Sequence, residues 1–351
     1  MKRVKKILKN LTIFIVLIIL TFSLILKDQN VTDIFDILGK TKKEFIAIAI
    51  LCMLLYVSLE ALNVGRILKT LKEKSNFLRN IKYALIGFFF SGITPAASGG
   101  QPMEIYYMHK DNISVANSTL ALLINLSCVQ IVTISVAIIS LFFNYKYMNT
   151  TLIWLFIIGI TLNLTALALL VISIFSKKMT KWLIKVAIKV LGFFRVKNIE
   201  EKQEKFEREL TKYQGSAQYI KQNKLVILKN LITTYIQYFI YYSISYWVYC
   251  SFGLSKSNIL EIITMQSVLY ATVSGIPSPG AVGVSEGGFI AIFRDVFPQK
   301  MIEGAMILNR GINFYLLIII SAVVVIINAI KEKKTEKNIN QQENENELKK
   351  D

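Results

Sequence analysis

"SGITPAASGGQPME", residues 91–104, follows the apolar run "ALIGFFF" and gives way to "IYYM". It holds Pro95 and Pro102, three glycines (Gly92, Gly99 and Gly100), a glutamine and a carboxylate. Proline removes a backbone donor and clashes with the preceding turn, so no helix runs through this stretch. Glycine lets the chain turn sharply and lets another group approach the backbone. The surrounding sequence is 54% hydrophobic, with apolar runs of about 20 residues, enough to cross a bilayer as helices. The fold class that follows is an all-α polytopic membrane protein. Within it, the stretch is irregular backbone at membrane depth, tolerated only where protein or a water-filled cavity satisfies it.

Six runs read as full spans, at about 8–26, 45–64, 115–143, 152–175, 225–252 and 308–330. The start "MKRVKKILKN" before the first has no small-residue cleavage site after its apolar run, so an uncleaved span is expected. Two more apolar segments, 81–108 and 259–297, are broken. The second break runs from Gly275 to Gly288 and contains Pro277 and Pro279. Together the breaks hold four of the five prolines and eight of the 17 glycines.

Loop charge sets the orientation. Residues 1–10 carry five Lys/Arg and no acid; residues 66–82 carry Arg66, Lys69, Lys72, Lys74, Arg79 and Lys82 against Glu73 alone. Residues 177–224 hold 13 basic and five acidic side chains. Positive loops stay cytoplasmic, which places the N- and C-termini there too. Spans 115–143 and 152–175 already bring the chain back to the same side. Segment 81–108 must therefore enter and leave on one side, and 259–297 on the other. The chain then reads as two halves, about 8–143 and 152–330, of span, span, re-entrant segment, span, in an inverted repeat. "SGI" at 91–93 and 274–276 lies in both breaks. Inverted repeats with broken helices point to a transporter site near the midplane.

Between the halves, 177–224 is expected to be a connector: an amphipathic helix on the inner leaflet at 181–194, then a short solvated helix from Ile199. The tail from 336 to 351 is polar and is expected to be disordered. Cys52, Cys128 and Cys250 lie in apolar runs and His109 is the one histidine, so no metal spacing exists. The net charge of +18 belongs to cytoplasmic loops and anionic lipid rather than to nucleic acid. No nucleotide-binding signature occurs and no cofactor is expected.

Each break is expected to start a half-helix, capped by Gln101 with Pro102 next and Glu104 three residues on, and by Ser285 with Glu286 in its first turn. Such N-termini suit an anionic group. Glu104 and Glu286 also read simply as first-turn carboxylates that complement the helix dipole. Glu60, Asn63 and Arg66 share a helix face; Glu60 and Arg310 lie deepest in apolar sequence, where an ionisable group points to function. Arg66, Arg294 and Asp295 read as interfacial anchors, and the tyrosines of "YIQYFIYYSISYWVY" as packing.

At Thr94-Pro95…Gly99-Gly100-Gln101-Pro102 and Pro279-Gly280-Ala-Val-Gly283-Val-Ser-Glu286-Gly287 the chain resembles the lysylphosphatidylglycerol synthase/flippase transmembrane-domain family. Arg310 also resembles the family's arginine, and the resemblance covers about 8–330. Gln101 stands where many members have an acid, leaving Glu104 and Glu286 as the motif carboxylates. The resemblance implies a bacterial cell-membrane lipid translocase that moves an anionic or aminoacylated phospholipid such as lysylphosphatidylglycerol. Resistance to cationic antimicrobial peptides would follow. It places phosphate at the half-helix N-termini and Arg310, and a cationic headgroup at Glu104, Glu286 or Glu60. Members that make the lipid add a soluble domain using aminoacyl-tRNA. This chain stops about 20 residues after its last span, so lysine transfer by it alone is not expected. Expected partners are the phospholipid, with no nucleic acid, and either a second copy or a separate synthase. Two other readings stay open: a lysyl- or polyprenyl-phosphate-dependent transferase, and a transporter of an ion or small solute.

Overall fold

The computed structural model describes residues 31–144, 150–176, 199–276 and 278–331. The expected first span 8–26, the amphipathic segment 181–194, the tail 336–351 and Pro277 lie outside the described residues. Within them the chain is helical and has no strand. A short α1 (Val31–Gly39) precedes α2 (Lys43–Thr70). The first broken segment is α3 (Phe77–Gly92), a 3-10 turn (Pro95–Ala97) and α4 (Gly100–Lys110). Then come α5 (Val115–Asn144), α6 (Thr150–Phe175), α7 (Ile199–Gln222) and α8 (Lys224–Ser251). The second broken segment is α9 (Ile259–Val273), a 3-10 turn (Pro279–Ala281) and α10 (Val284–Phe293). The last helix, α11 (Ile302–Lys331), contains one π turn at Gly311–Tyr315.

Four of these helices, α2, α5, α6 and α11, are long and apolar enough to cross a membrane. At 28 residues α8 equals α2 in length, but six tyrosines dilute its hydropathy. It packs antiparallel to α2: Arg66 Nη1 donates to Asn230 Oδ1 (2.9 Å) near one end, and Lys42 N donates to Ser251 O (2.8 Å) at the other. Its outer face carries exposed Leu225, Leu228, Ile232, Ile236 and Phe239, a stripe at helical spacing continuous in character with exposed Leu51 and Leu55 on α2. An apolar belt of this kind is stable against lipid tails and not against water.

Contacts also fix which end each element occupies. Call the end carrying the 66–82 loop the basic end. Asp111, after α4, accepts hydrogen bonds from Lys82 and Tyr83 at the start of α3, so both ends of the first broken segment lie there. Tyr249 and Phe252 at the far end of α8 pack on Phe297, after α10, and Ser257 N donates to the Tyr249 hydroxyl (3.0 Å), so the second broken segment begins and ends at the opposite end. In each, the two half-helices pack on each other as a hairpin, and the two 3-10 tips touch. Both hairpins open on an asparagine cap, with Asn76 Oδ1 accepting from Arg79 N and Asn258 Oδ1 from Glu261 N, each at 2.9 Å.

The connector helix departs from expectation. Rather than standing in solvent, α7 buries Tyr213, Ala217 and Ile220, spaced to form one stripe, against the rest of the protein. Glu209 caps the Ala116 amide (2.8 Å) and the Tyr213 hydroxyl donates to Ser173 O (3.1 Å), tying α7 to the ends of α5 and α6.

The Asp111 junction has a pH signature. Burial pushes its carboxyl up, but hydrogen bonds from Lys82 and Tyr83 and the charges of Lys82 and Arg79 outweigh this and hold it below its ordinary value. A depressed carboxyl stabilises the fold fully above its unfolded value, about 3.9, and the effect is lost as pH falls through the folded value. Asp111→Asn is expected to lower Tm by about 2–4 °C at pH 7. The gap to the native chain should close below about pH 4, as read by thermal unfolding across pH.

Candidate functional site

The two tips have the same backbone plan. Thr94 and Ser278 are extended, Pro95 and Pro279 open the 3-10 turns, and Ala97 and Ala281 have φ of 53° and 52°. Left-handed alanine costs on the order of 1–3 kcal/mol and persists only where its surroundings impose it. Pro95 therefore corresponds to Pro279 and Gly99 to Gly283. The shared "SGI" is one residue out of this register, because the second break has an extra residue before its tip.

That register changes the helix starts. The N-cap of α4 is Gly99, not Gln101, which with Pro102 lies inside the first turn. Thr94 closes this tip, donating from Oγ1 to Phe90 O (2.5 Å) and accepting from Gly99 N (2.9 Å). Gly100 is buried against Ser91 Oγ and Gly87 O, while Pro95 and Pro102 are exposed. The N-cap of α10 is Gly283, not Ser285; Glu286 is its third residue and its Oε2 accepts from Gly283 N (2.7 Å). Glu104 and Glu286 are consequently not counterparts, since Glu104 is the fifth residue of α4. Physically, side-chain caps were unnecessary because a hydroxyl and a carboxylate from elsewhere in each tip reach the cap amides.

Glu286 is fully buried and its Oε1 accepts from Arg310 Nε (2.8 Å) and from the Tyr315 hydroxyl (3.1 Å). Arg310 also donates from Nη2 to Gly280 O (2.9 Å) and lies over the Phe314 ring, 4.3 Å from its centroid. A side chain at Gly280 would meet that ring, and its φ is 60°, so glycine is required twice over. The two charges expected to face a ligand separately are thus engaged with each other. Gly287 is exposed with nothing beside it, and Pro279 is buried in the tip.

Beside this pair, where the tips meet, lies a cavity of about 220 Å³. Arg310 and Gly280 line it, together with Tyr56, Tyr241, Tyr270, Ser278, Ser285 and Asn313. Asn313, 5% exposed and within the π turn, has an Oδ1 with no partner among the described residues, as has the Ser278 hydroxyl. The π turn is the signal sequence reasoning missed; such bulges gather at functional sites but leave no residue pattern. The three tyrosines come from α2, α8 and α9, and of them only Tyr241 belongs to the run read from sequence as packing. Packing is also what their rings do: Tyr56 and Tyr241 lie 4.8 Å apart, and Tyr241 and Tyr270 5.7 Å.

Glu60, Asn63 and Arg66 do form one face, as a ladder against α8. Glu60 accepts from Asn125 Nδ2 (2.6 Å) and Gln237 Nε2 (2.8 Å), and Arg66 donates to Asn63 Oδ1 (3.2 Å). Arg294 and Asp295 pair with each other at 3.8 Å, both exposed. Neither Glu60 nor Glu104 lines the cavity. Among the described residues no group of three or more His, Cys, Asp and Glu is placed to hold a metal ion.

A family model for the lysylphosphatidylglycerol synthase TM region matches residues 9–321. No curated protein matches the chain.

Removing one partner of a buried ion pair strands the other and costs about 3–5 kcal/mol, whereas an apolar pair of similar volume is near neutral. Glu286→Ala is therefore expected to lower Tm by about 10 °C. The double variant Glu286→Leu/Arg310→Met should recover most of that loss, measured by thermal unfolding of the purified protein.

Proposed function

Because the chain belongs to the family of the lysylphosphatidylglycerol synthase TM region, we propose that it holds a phospholipid headgroup at the meeting point of the two tips and carries it between leaflets. The halves 8–143 and 152–330 would act as inverted repeats in the bacterial cell membrane, with both termini cytoplasmic. The observation that carries this reading is the cavity between the tips, lined by Arg310 and by Asn313, whose buried Oδ1 has no partner among the described residues.

The chemistry matches a phosphodiester with a donor-bearing headgroup. Guanidinium offers five N–H donors, and Glu286 and Gly280 take two of them. The first-turn amides of α10 add partial positive charge on the same side. Asn313 and Ser278 line the cavity with buried, unpartnered acceptors, which a rotation of either side chain would turn toward a headgroup hydroxyl or ammonium. At about 220 Å³ the cavity is on the scale of a headgroup, below the ~300–1,000 Å³ usual for drug-sized ligands, so acyl chains would remain outside. Glu286 is taken by Arg310, which leaves the phosphate half of the ligand better provided for here than an aminoacyl amine.

Asn313→Leu preserves volume and removes the unpartnered acceptor, so the fold should be as stable as before. In liposomes carrying the purified protein, fluorescent phosphatidylglycerol or lysylphosphatidylglycerol is expected to equilibrate between leaflets. Asn313→Leu should slow this about tenfold, the effect of one lost hydrogen bond in a desolvated site. Uptake of a small solute without lipid movement would identify a solute transporter instead. Lysine incorporation from charged tRNA would identify a transferase.

A further inference from the structure

A smaller space adjoins the headgroup cavity. It measures about 30 Å³, and Tyr241, Tyr270, Ser285, Arg310 and Asn313 line both. Gln266 of α9 and Asn309 of α11 line the smaller space and not the cavity. Gln266 lies four residues before Tyr270, and Asn309 four before Asn313, so each stands about one helical turn from the cavity wall. Both helices begin at the end of the protein opposite the basic end. The space therefore reaches from the tips toward that opposite end.

Ser245 of α8 ties the two amides together. Its hydroxyl lies 2.8 Å from Gln266 Oε1 and 3.1 Å from Asn309 Oδ1. Gln266 is 5% exposed and Asn309 1%, so neither amide has much access to solvent. A hydroxyl has one proton, so it satisfies only one of these oxygens at a time. Among the described residues neither amide NH2 group has a hydrogen bond, and neither has Asn313 Oδ1. Spare donors and spare acceptors thus belong to the walls of one small space, where leaving them unmade is costly. An ammonium only donates and a phosphate oxygen only accepts, whereas a hydroxyl does both. About 30 Å³ is also the scale of a single hydroxyl or water.

We infer that Gln266 and Asn309, held by Ser245, form a subsite for a hydroxyl carried by the headgroup beyond its phosphate. The site then selects a glycerol-type headgroup over an alkyl one of the same length and charge. This rests on the lipid reading of the main cavity: with phosphate at Arg310, which lines both spaces, the far end of the headgroup extends one turn along α9 and α11. Gln266 and Asn309 are the specificity-determining residues. Ser245 does not line the space and is a positioning residue, fixing how the two amides face each other.

The full chain, purified in detergent, is unfolded thermally under tryptophan fluorescence with increasing dihexanoyl phosphatidylglycerol or dihexanoyl phosphatidylpropanol. The two headgroups match in charge and carbon count, and only the first carries hydroxyls. Phosphatidylglycerol is expected to raise Tm at about tenfold lower concentration, the effect of one hydrogen bond in a desolvated site. Gln266→Leu should bring the two concentrations together. Ser245→Ala, which removes one oxygen and keeps both amides, should narrow the gap as well, and it carries the test where Gln266→Leu does not fold. Equal responses of the native chain to the two lipids would overturn the hydroxyl subsite and leave the phosphate reading standing. A native preference that survives in both variants would also overturn it and assign the space to water alone. A response to neither lipid would overturn both readings together.

Discussion

The carboxylate of Glu286 is the point on which the second tip depends. It completes the start of α10 through the Gly283 amide, and it binds Arg310 of α11 and the Tyr315 hydroxyl. Arg310 in turn takes the Gly280 carbonyl, a backbone acceptor left over by the turn. Away from water, chain that leaves the helix must find such partners within protein. One buried ion pair thus satisfies the tip and fixes it to α11. Polar groups of this kind are kept less for net stability than for holding one arrangement, since an apolar pair would cost little more.

The first tip is held differently. Thr94 supplies the local hydrogen bonds, and among the described residues no ion pair reaches Glu104. One hairpin is therefore pinned by an ion pair and the other is closed by a hydroxyl. The two meet at their tips and enclose the cavity between them. If one tip moves against the other during transport, the asymmetry favours the first. Movement of α10 would break the buried Glu286–Arg310 pair, and the first tip has no ion pair of that kind among the described residues.

Much of this was legible in sequence because it rests on properties that composition records. The density of proline and glycine marked both breaks, and the parity of the loop charges required each to return to the end from which it came. Hairpins opening at opposite ends are what the contacts of Asp111 and Phe297 describe. Letters misled where geometry is set from a distance. "SGI" offered a register one residue off, and Gln101 and Ser285 looked like caps because nothing local reveals that Thr94 and Glu286 do that work. The cavity residues were harder still. Tyr56, Tyr241, Tyr270 and Asn313 come from four helices far apart in the chain, and only packing brings them together. Arg310 was recognisable as deep and unusual, but its pairing with Glu286 across 24 residues was not.

A headgroup lying between the tips is tested most directly by an electron cryo-microscopy map of the protein in nanodiscs containing lysylphosphatidylglycerol. Phosphate density within hydrogen-bonding distance of Arg310, with headgroup density continuing toward Asn313 and Ser278, is the expected result. Ordered lipid confined to the outer apolar belt, with no headgroup density between the Pro95–Ala97 and Pro279–Ala281 turns, would contradict it.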